Sequence, residues 1–169
     1  TEIKESLIEK SINALLKASQ LKDDDTGNHI RRINEYSFAM ATHLLKKENK
    51  FYTEIDKEYC RKIKKVASMH DVGKIGIPDY ILTKPAKLTD EEFKIMQEHT
   101  INGAFILSEL AGQMARDIAL FHHEKWSGTG YPYGFREEQI PLAARIVAIA
   151  DVYDALRMKR CYKEAIPHD

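Results

Sequence analysis

Apolar residues near the start of the chain, Ile3, Leu7, Ile8, Ile12, Leu15 and Leu16, recur at three- and four-residue steps, the spacing that lines one face of an α-helix. This periodicity constrains the fold most, because no Val/Ile/Thr-rich alternating run bounded by hairpin turns competes with it. The pattern stops near Lys22. Asp23-Asp24-Asp25-Thr26-Gly27-Asn28 then supplies turn and capping residues, and Ile30, Ile33, Tyr36, Phe38, Met40, Ala41, Leu44 and Leu45 predict a second helix. Helix is expected again from Asp56 to about Asp71. Thr89 with Glu92 three residues later reads as a capping box, and Pro141 suits the first turn of a helix through Leu142, Ile146 and Ile149. The fold class is all-α. Two irregular stretches, Gly73 to Lys87 and Glu124 to Pro141, hold most of the Gly and Pro residues and are where function is expected.

A chain of 169 residues has the size of one domain and buries a core without needing a disulfide or structural metal. Residues 1–169 therefore read as a single domain. The start at Thr1 and the polar end point to excision from a longer sensor or regulator protein. Lys and Arg number 26 and so do Asp and Glu, which argues against a polybasic binder of duplex nucleic acid or membrane. Any anion site must be local. Cys60 and Cys161 form no CxxC and read as reduced bystanders in a cytoplasmic setting. No apolar run approaches the roughly 20 residues that span a bilayer, and no signal-peptide core opens the chain; membrane anchoring is left to other domains.

Five of the seven histidines fall in suggestive company: Asn28-His29, His70-Asp71, Glu98-His99, and His122-His123 before Glu124, with Asp151 on the late helix. Neutral imidazoles with carboxylates suit Fe, Mn, Zn or Ni, whereas an oxygen-only set would suit Mg or Ca. Taken singly, each such residue is more often a helix cap or a solvated group. The adjacent pair His70-Asp71 is more telling, since neighbours on a helix diverge by about 100° and can serve different positions of one cluster. His43 is a control: 14 residues beyond His29, it sits roughly 21 Å further along a continuous helix and is expected to be structural or exposed.

The segments His70-Asp71-Val72-Gly73-Lys74-Ile75-Gly76-Ile77-Pro78 and His122-His123-Glu124-Lys125-Trp126-Ser127-Gly128-Thr129-Gly130-Tyr131-Pro132 closely resemble the two signatures of the HD-GYP domains. The resemblance runs from Thr26-Gly27-Asn28-His29 to Asp151-Val152-Tyr153-Asp154-Ala155-Leu156 and Arg160-Cys161-Tyr162-Lys163. It implies a compact helical bundle of the HD superfamily with a central metal cluster and an irregular GYP loop. It also implies that His29, His70, Asp71, His99, His122, His123 and Asp151 are ligands of divalent transition metals, Fe or Mn first and Ni, Co or Zn next. Asp71 would bridge the ions. Some members hold a third ion through a glutamate four residues before the first histidine, where this chain has the shorter Asp25. One turn of helix can bring Asp25 and His29 to one ion, but Asp25 reads equally well as a cap.

The activity implied is hydrolysis of cyclic di-GMP to linear pGpG or onward to GMP. A pair of ions would lower the pKa of a bridging water, so that the chain itself need supply no nucleophile, and none is evident. Lys74 follows His70 by four residues and matches the family's contact to the scissile phosphate; Arg160 and Lys163 match its other phosphate contacts. In one straight helix Arg160 would lie about 180° around and roughly 13 Å along from Asp151, so that helix must end near Met158 and the chain turn back. Cys161 stands where the family usually has proline. Pro132 biases Tyr131 toward an extended backbone, aiming its hydroxyl at a bound water or phosphate. Trp126, Tyr133 or Phe135 can stack on a base or simply pack the loop. Alternatives are a phosphodiesterase for hybrid cyclic GMP-AMP, a generic HD-type nucleotidase, and a silent module that binds cyclic dinucleotide. Partners expected by resemblance are a diguanylate cyclase, a sensor domain or a second copy as homodimer.

Overall fold

Local sequence and distant contacts divide the work of building the bundle. The computed structural model of the chain describes residues 2–22, 27–47 and 52–158. Its helices are α1 (Glu2–Lys22), α2 (Gly27–Lys46), α3 (Lys57–Val66), the single turn α4 (Asp79–Leu82), α5 (Asp90–Leu107), α6 (Gly112–Phe121) and α7 (Leu142–Arg157), with no strand among the described residues. The all-α expectation is met.

Capping explains several boundaries. Asp56 accepts a hydrogen bond from the Tyr59 amide at 2.6 Å and opens α3. Thr89 and Glu92 make the reciprocal capping box that opens α5, and such caps typically contribute about 1 kcal/mol. Pro141, which has no N–H to leave unpaired, sits at the N-cap of α7. Gly112 adopts a φ of +73° where α6 begins, a boundary that apolar periodicity does not mark.

One expected helix is shorter than its sequence suggests. The run from Asp56 leaves α-geometry at Val66 and continues as 3₁₀ turns, Ala67–Met69 and Val72–Gly76. The cause is a side chain from another helix: Asn34 Oδ1 takes the Ser68 amide at 2.9 Å, removing that donor from the α-helical ladder. His70 and Asp71 thus lie between two 3₁₀ turns, and their divergence does not come from neighbouring positions on an α-helix.

Two apolar clusters hold the bundle. Ile33 and Ala41 of α2, Cys60 and Ile63 of α3, Ile118 of α6 and Ile146, Val147 and Ala150 of α7 form the larger one. Met69, Val72, Leu107, Ala115 and Ala119 form the second, on which Ile12, Leu15 and Leu16 of α1 pack. Burying a Leu, Ile or Val side chain stabilises by roughly 1.5–3 kcal/mol, so either cluster outweighs any single cap. Between them, the Val72–Gly76 turn is pressed against α5 at Gly73. A Cβ on Gly73 would overlap the His99 carbonyl oxygen and the Gly103 amide nitrogen, so only glycine admits this approach. That approach brings Asp71 beside His99. Lys22, at the end of α1, donates to the Ile75 and Ile77 carbonyls at 3.0 and 2.9 Å and holds the turn from its other side.

Candidate metal centre

Seven donors converge where α2, the His70–Asp71 turn, α5, the end of α6 and α7 meet. Asp71, His99, His122 and His123 form one group; His29, His70 and Asp151 form another, with the ligand atoms of each group within 4.8 Å of one another. His29, His70, His99 and His122 are buried. Asp71 stands between the groups with its oxygens divided. Oδ2 is 3.4 Å from His70 Nε2, while Oδ1 is 3.4 Å from His99 Nε2 and 3.6 Å from His122 Nε2. Asp151 Oδ1 lies 3.8 Å from His29 Nε2 and 3.9 Å from His70 Nε2.

The imidazoles are oriented by their other nitrogen. Nδ1 of His70 faces the Ala67 carbonyl at 2.9 Å, that of His99 faces the Met96 carbonyl at 2.7 Å, and that of His122 faces the Ile118 and Ala119 carbonyls at 3.1 and 3.0 Å. A carbonyl only accepts, so each Nδ1 carries a proton and each Nε2 is turned to the centre, its lone pair open to an ion wherever the ring is neutral. His29 is set differently: its Nδ1 lies 2.7 Å from Asp154 Oδ2, and Arg32 grips the same carboxylate through Nε at 2.5 Å and Nη2 at 2.9 Å.

Electrostatics fit a cation site. Burial, helped by neighbouring His122, takes His99 down to about 4 against the pull of Asp71. Burial followed by His122 and His99 takes His123 down to about 2. Both rings are therefore neutral at neutral pH, as ligation requires. For Asp71, burial opposes ionisation, but His70 and then Lys74 outweigh it and hold the carboxyl well below its usual range. His70 is lowered by burial yet lifted further by Asp71, to about 9. Its Nε2 and Asp71 Oδ1 are buried and find no hydrogen-bond partner among the described residues. Orphaned buried polar atoms of this kind cost about 1–3 kcal/mol each unless an ion or similar group satisfies them. Three-nitrogen and mixed nitrogen–oxygen sets match a borderline transition metal, so the residues fit the expected ions.

Lys74 Nζ is 2.8 Å from Asp71 Oδ2, which puts its charge at the centre. The loop after His123 folds back over it. Tyr131 donates its amide to the His123 carbonyl at 3.3 Å and stacks its ring on the His123 imidazole at 4.7 Å and 24°. Burial, then Asp71, pushes the Tyr131 phenol up, keeping it a hydrogen-bond donor. Phe135 stacks on Phe121 at 5.2 Å and packs the loop on α6, whereas Trp126 is 57% exposed and lies 5.8 Å from the Arg145 guanidinium. His43 is exposed on α2 and belongs to neither donor group. Helix α7 stops at Arg157 with Met158 in extended geometry, as the Asp151–Arg160 spacing demanded. Asp25, Arg160, Lys163 and Cys161 lie outside the described residues.

Three residues went unassigned in the sequence. Asp154 faces His29 Nδ1 and is itself gripped by Arg32, and Glu124, 5% exposed, accepts the Tyr133 amide at 2.8 Å and ties down the GYP segment. The available signal was spacing: Arg32 follows His29, and Asp154 follows Asp151, by three residues, so each pair shares a helix face.

The helical bundle and its paired His/Asp groups define an all-α domain able to hold metal ions at its centre. The HD domain model matches residues 9–169, and the chain belongs to that family, in its HD-GYP branch. The HD domain phosphohydrolases are metal-dependent, and this chain has a His/Asp group that can bind metal. It is 45% identical over 167 residues to a Vibrio cholerae protein named cyclic di-GMP phosphodiesterase, covering 94% of this chain and 34% of that protein. A Thermotoga maritima protein of the same name is 42% identical over 99% of this chain and 44% of its own length. A third relative, the Vibrio cholerae 3'3'-cGAMP-specific phosphodiesterase 2, is 42% identical over 89% of this chain and 28% of its own. The chain thus spans less than half the length of these relatives. Among the described residues no helix is long and apolar enough to cross a membrane.

Proposed function

We propose that this domain hydrolyses a phosphodiester bond of a cyclic dinucleotide, cyclic di-GMP in the first place, to linear pGpG or onward to GMP. The observation that carries the reading is the division of Asp71 between two donor groups, Oδ2 toward His70 and Oδ1 toward His99 and His122. His29, His70 and Asp151 would hold one ion and His99, His122 and His123 the other, with Asp71 shared; Asp25 would add a third ion with His29. Imidazoles with carboxylates suit Fe, Mn, Ni, Co and Zn alike, and the family resemblance puts Fe or Mn first. Such ions supply water activation near neutral pH and neutralise charge on the phosphate.

The chain's own residues then do the positioning. Lys74 holds a non-bridging oxygen of the scissile phosphate, and Tyr131, kept protonated, donates to the substrate from the folded-back loop. Arg160 and Lys163 contact the outlying phosphate after the chain turns beyond α7. Positioning with electrostatic stabilisation supplies most of the catalysis of phosphoryl transfer. The GMP-AMP hybrid is the second reading, favoured by the 42% identity to a relative named for that substrate. A silent binding module is less well supported, because all seven donors are present and converge. In the longer protein the partners would be a sensor domain, a diguanylate cyclase or a second copy, and the setting the cytoplasm.

The test is metal analysis joined to a turnover assay on the purified chain. Mn-loaded protein is expected to convert cyclic di-GMP to pGpG or GMP, resolved by chromatography. Protein that carries its metals and binds cyclic di-GMP but never cleaves it would sink the enzymatic reading.

A further inference from the structure

We infer that Asp154, clamped by Arg32, is a positioning residue for His29, and that the pair tunes one donor group of the centre while leaving the other alone. The inference rests on the reading of His29 as a metal ligand. Three of the oriented imidazoles give their Nδ1 protons to backbone carbonyls, but His29 faces a carboxylate at 2.7 Å. A carboxylate behind an imidazole fixes the tautomer, as a carbonyl does, and also makes the ligating nitrogen more basic. Asp154 is 2% exposed, so its charge must be met inside the protein. Arg32 meets it with a two-point grip, Nε to Oδ1 and Nη2 to Oδ2, which also fixes the plane of the carboxylate.

The four residues form two facing pairs. His29 and Arg32 sit one turn apart on α2; Asp151 and Asp154 sit one turn apart on α7. Asp151 points its Oδ1 at His29 Nε2, at 3.8 Å, while Asp154 takes His29 Nδ1. The ring is therefore held between a carboxylate of the centre and a carboxylate behind it. An ion pair that merely joined α2 to α7 would need only Arg32 and Asp154. The short contact to His29 makes the same pair an outer layer of the His29–His70–Asp151 group. In the Asp71–His99–His122–His123 group, Nδ1 of His99 and Nδ1 of His122 face backbone carbonyls instead.

Mn²⁺ titration of chelator-treated, dialysed protein by calorimetry, with far-UV circular dichroism for folding, tests this. Asp154→Asn is expected to weaken one class of Mn²⁺ sites about 10–100-fold and to leave the other class unchanged. Arg32→Lys, which keeps the charge and loses the two-point grip, is expected to weaken the same class and stands in should Asp154→Asn not fold. His29→Ala removes that class, and adding Asp154→Asn to it changes nothing further. Unaltered isotherms for Asp154→Asn and Arg32→Lys, equal weakening of both classes, or an Asp154→Asn effect that survives in the His29→Ala background would each overturn the inference. Wild-type protein that binds no Mn²⁺ would overturn it as well. The enzymatic reading is separable: an intact Mn²⁺ cycle without cleavage of cyclic di-GMP defeats that reading and leaves the positioning role standing.

Discussion

The Lys74 ammonium sits 2.8 Å from Oδ2 of Asp71, the oxygen that also faces His70. One carboxylate thereby links the donor groups to the cation proposed to hold the phosphate. Lys74→Met is expected to lower kcat on cyclic di-GMP by roughly 10²–10³-fold, the size of losing one preorganised charge contact. Metal content, read by elemental analysis, should stay at the wild-type value. Joint loss of metal and activity would reassign Lys74 to holding the site together.

Asp71 makes the sharper case. Asp71→Ala removes the carboxylate whose two oxygens face both groups, so turnover should fall to background while circular dichroism still shows a helical fold. The apolar clusters of α2, α3, α6 and α7 do not include Asp71. Retained turnover would reject the shared role.

The GYP segment offers a separate handle. Glu124 accepts the Tyr133 amide at 2.8 Å, and Tyr131 lies on His123 two residues earlier. Glu124→Ala should release that segment and raise KM more than it lowers kcat, since the proposed metal ligands are untouched. Trp126 is the only tryptophan in the chain and lies two residues from Glu124, so its fluorescence reports the loosening directly. An unchanged spectrum with unchanged KM would count against the tie.

Gly73→Ala tests the approach that brings Asp71 to His99. Its Cβ would meet the His99 carbonyl and the Gly103 amide, both backbone atoms that cannot swing away. Overpacking of this kind costs about 3 kcal/mol, which lowers Tm by roughly 6–12 °C in a chain of this size. A melting curve matching wild type would show that the turn and α5 separate easily.

Protons would compete with metal at the proposed centre, so the metal-free domain should have a definite pH profile. Unfolded histidines take up protons near pH 6.5, whereas folded His99 and His123 wait until about 4 and about 2. Over that range the unfolded chain binds more protons, and stability falls as pH falls. Asp71, held below its ordinary value, adds to the acid loss once the unfolded carboxylate begins to protonate. His70 acts in the opposite sense: raised to about 9, its contribution is complete below pH 6.5 and disappears as pH rises through 9. Thermal melts in chelator are therefore expected to peak near pH 6.5 and decline on both sides. A plateau from pH 4 to 9 would contradict these shifts.

Helix positions were legible in the sequence because they depend on neighbours. Thr89 and Glu92 are three residues apart, Asp56 caps through Tyr59, and Ile12, Leu15 and Leu16 mark a face by spacing alone. The donors were legible by residue type, since few side chains ligate a transition metal and five segments carried them. Asp25, Arg160 and Lys163, read from motif positions, remain proposals outside the described residues.

Tertiary structure decided the rest. The α-helix before His70 ends because Asn34, 34 residues earlier, captures the Ser68 amide. Asp71 is shared between groups because Gly73 lets its turn meet the backbone of α5. Asp154 stands behind His29 across 125 residues of chain, with Arg32 supplying the charge that keeps it ionised inside the protein. Sequence by itself determined which chemistry was available, because helix-forming tendency and ligand type are properties of residues and their near neighbours. Only the fold decided which donors share a centre and what orients them, because hydrogen bonds and close packing act over a few ångströms in space, whatever the separation along the chain.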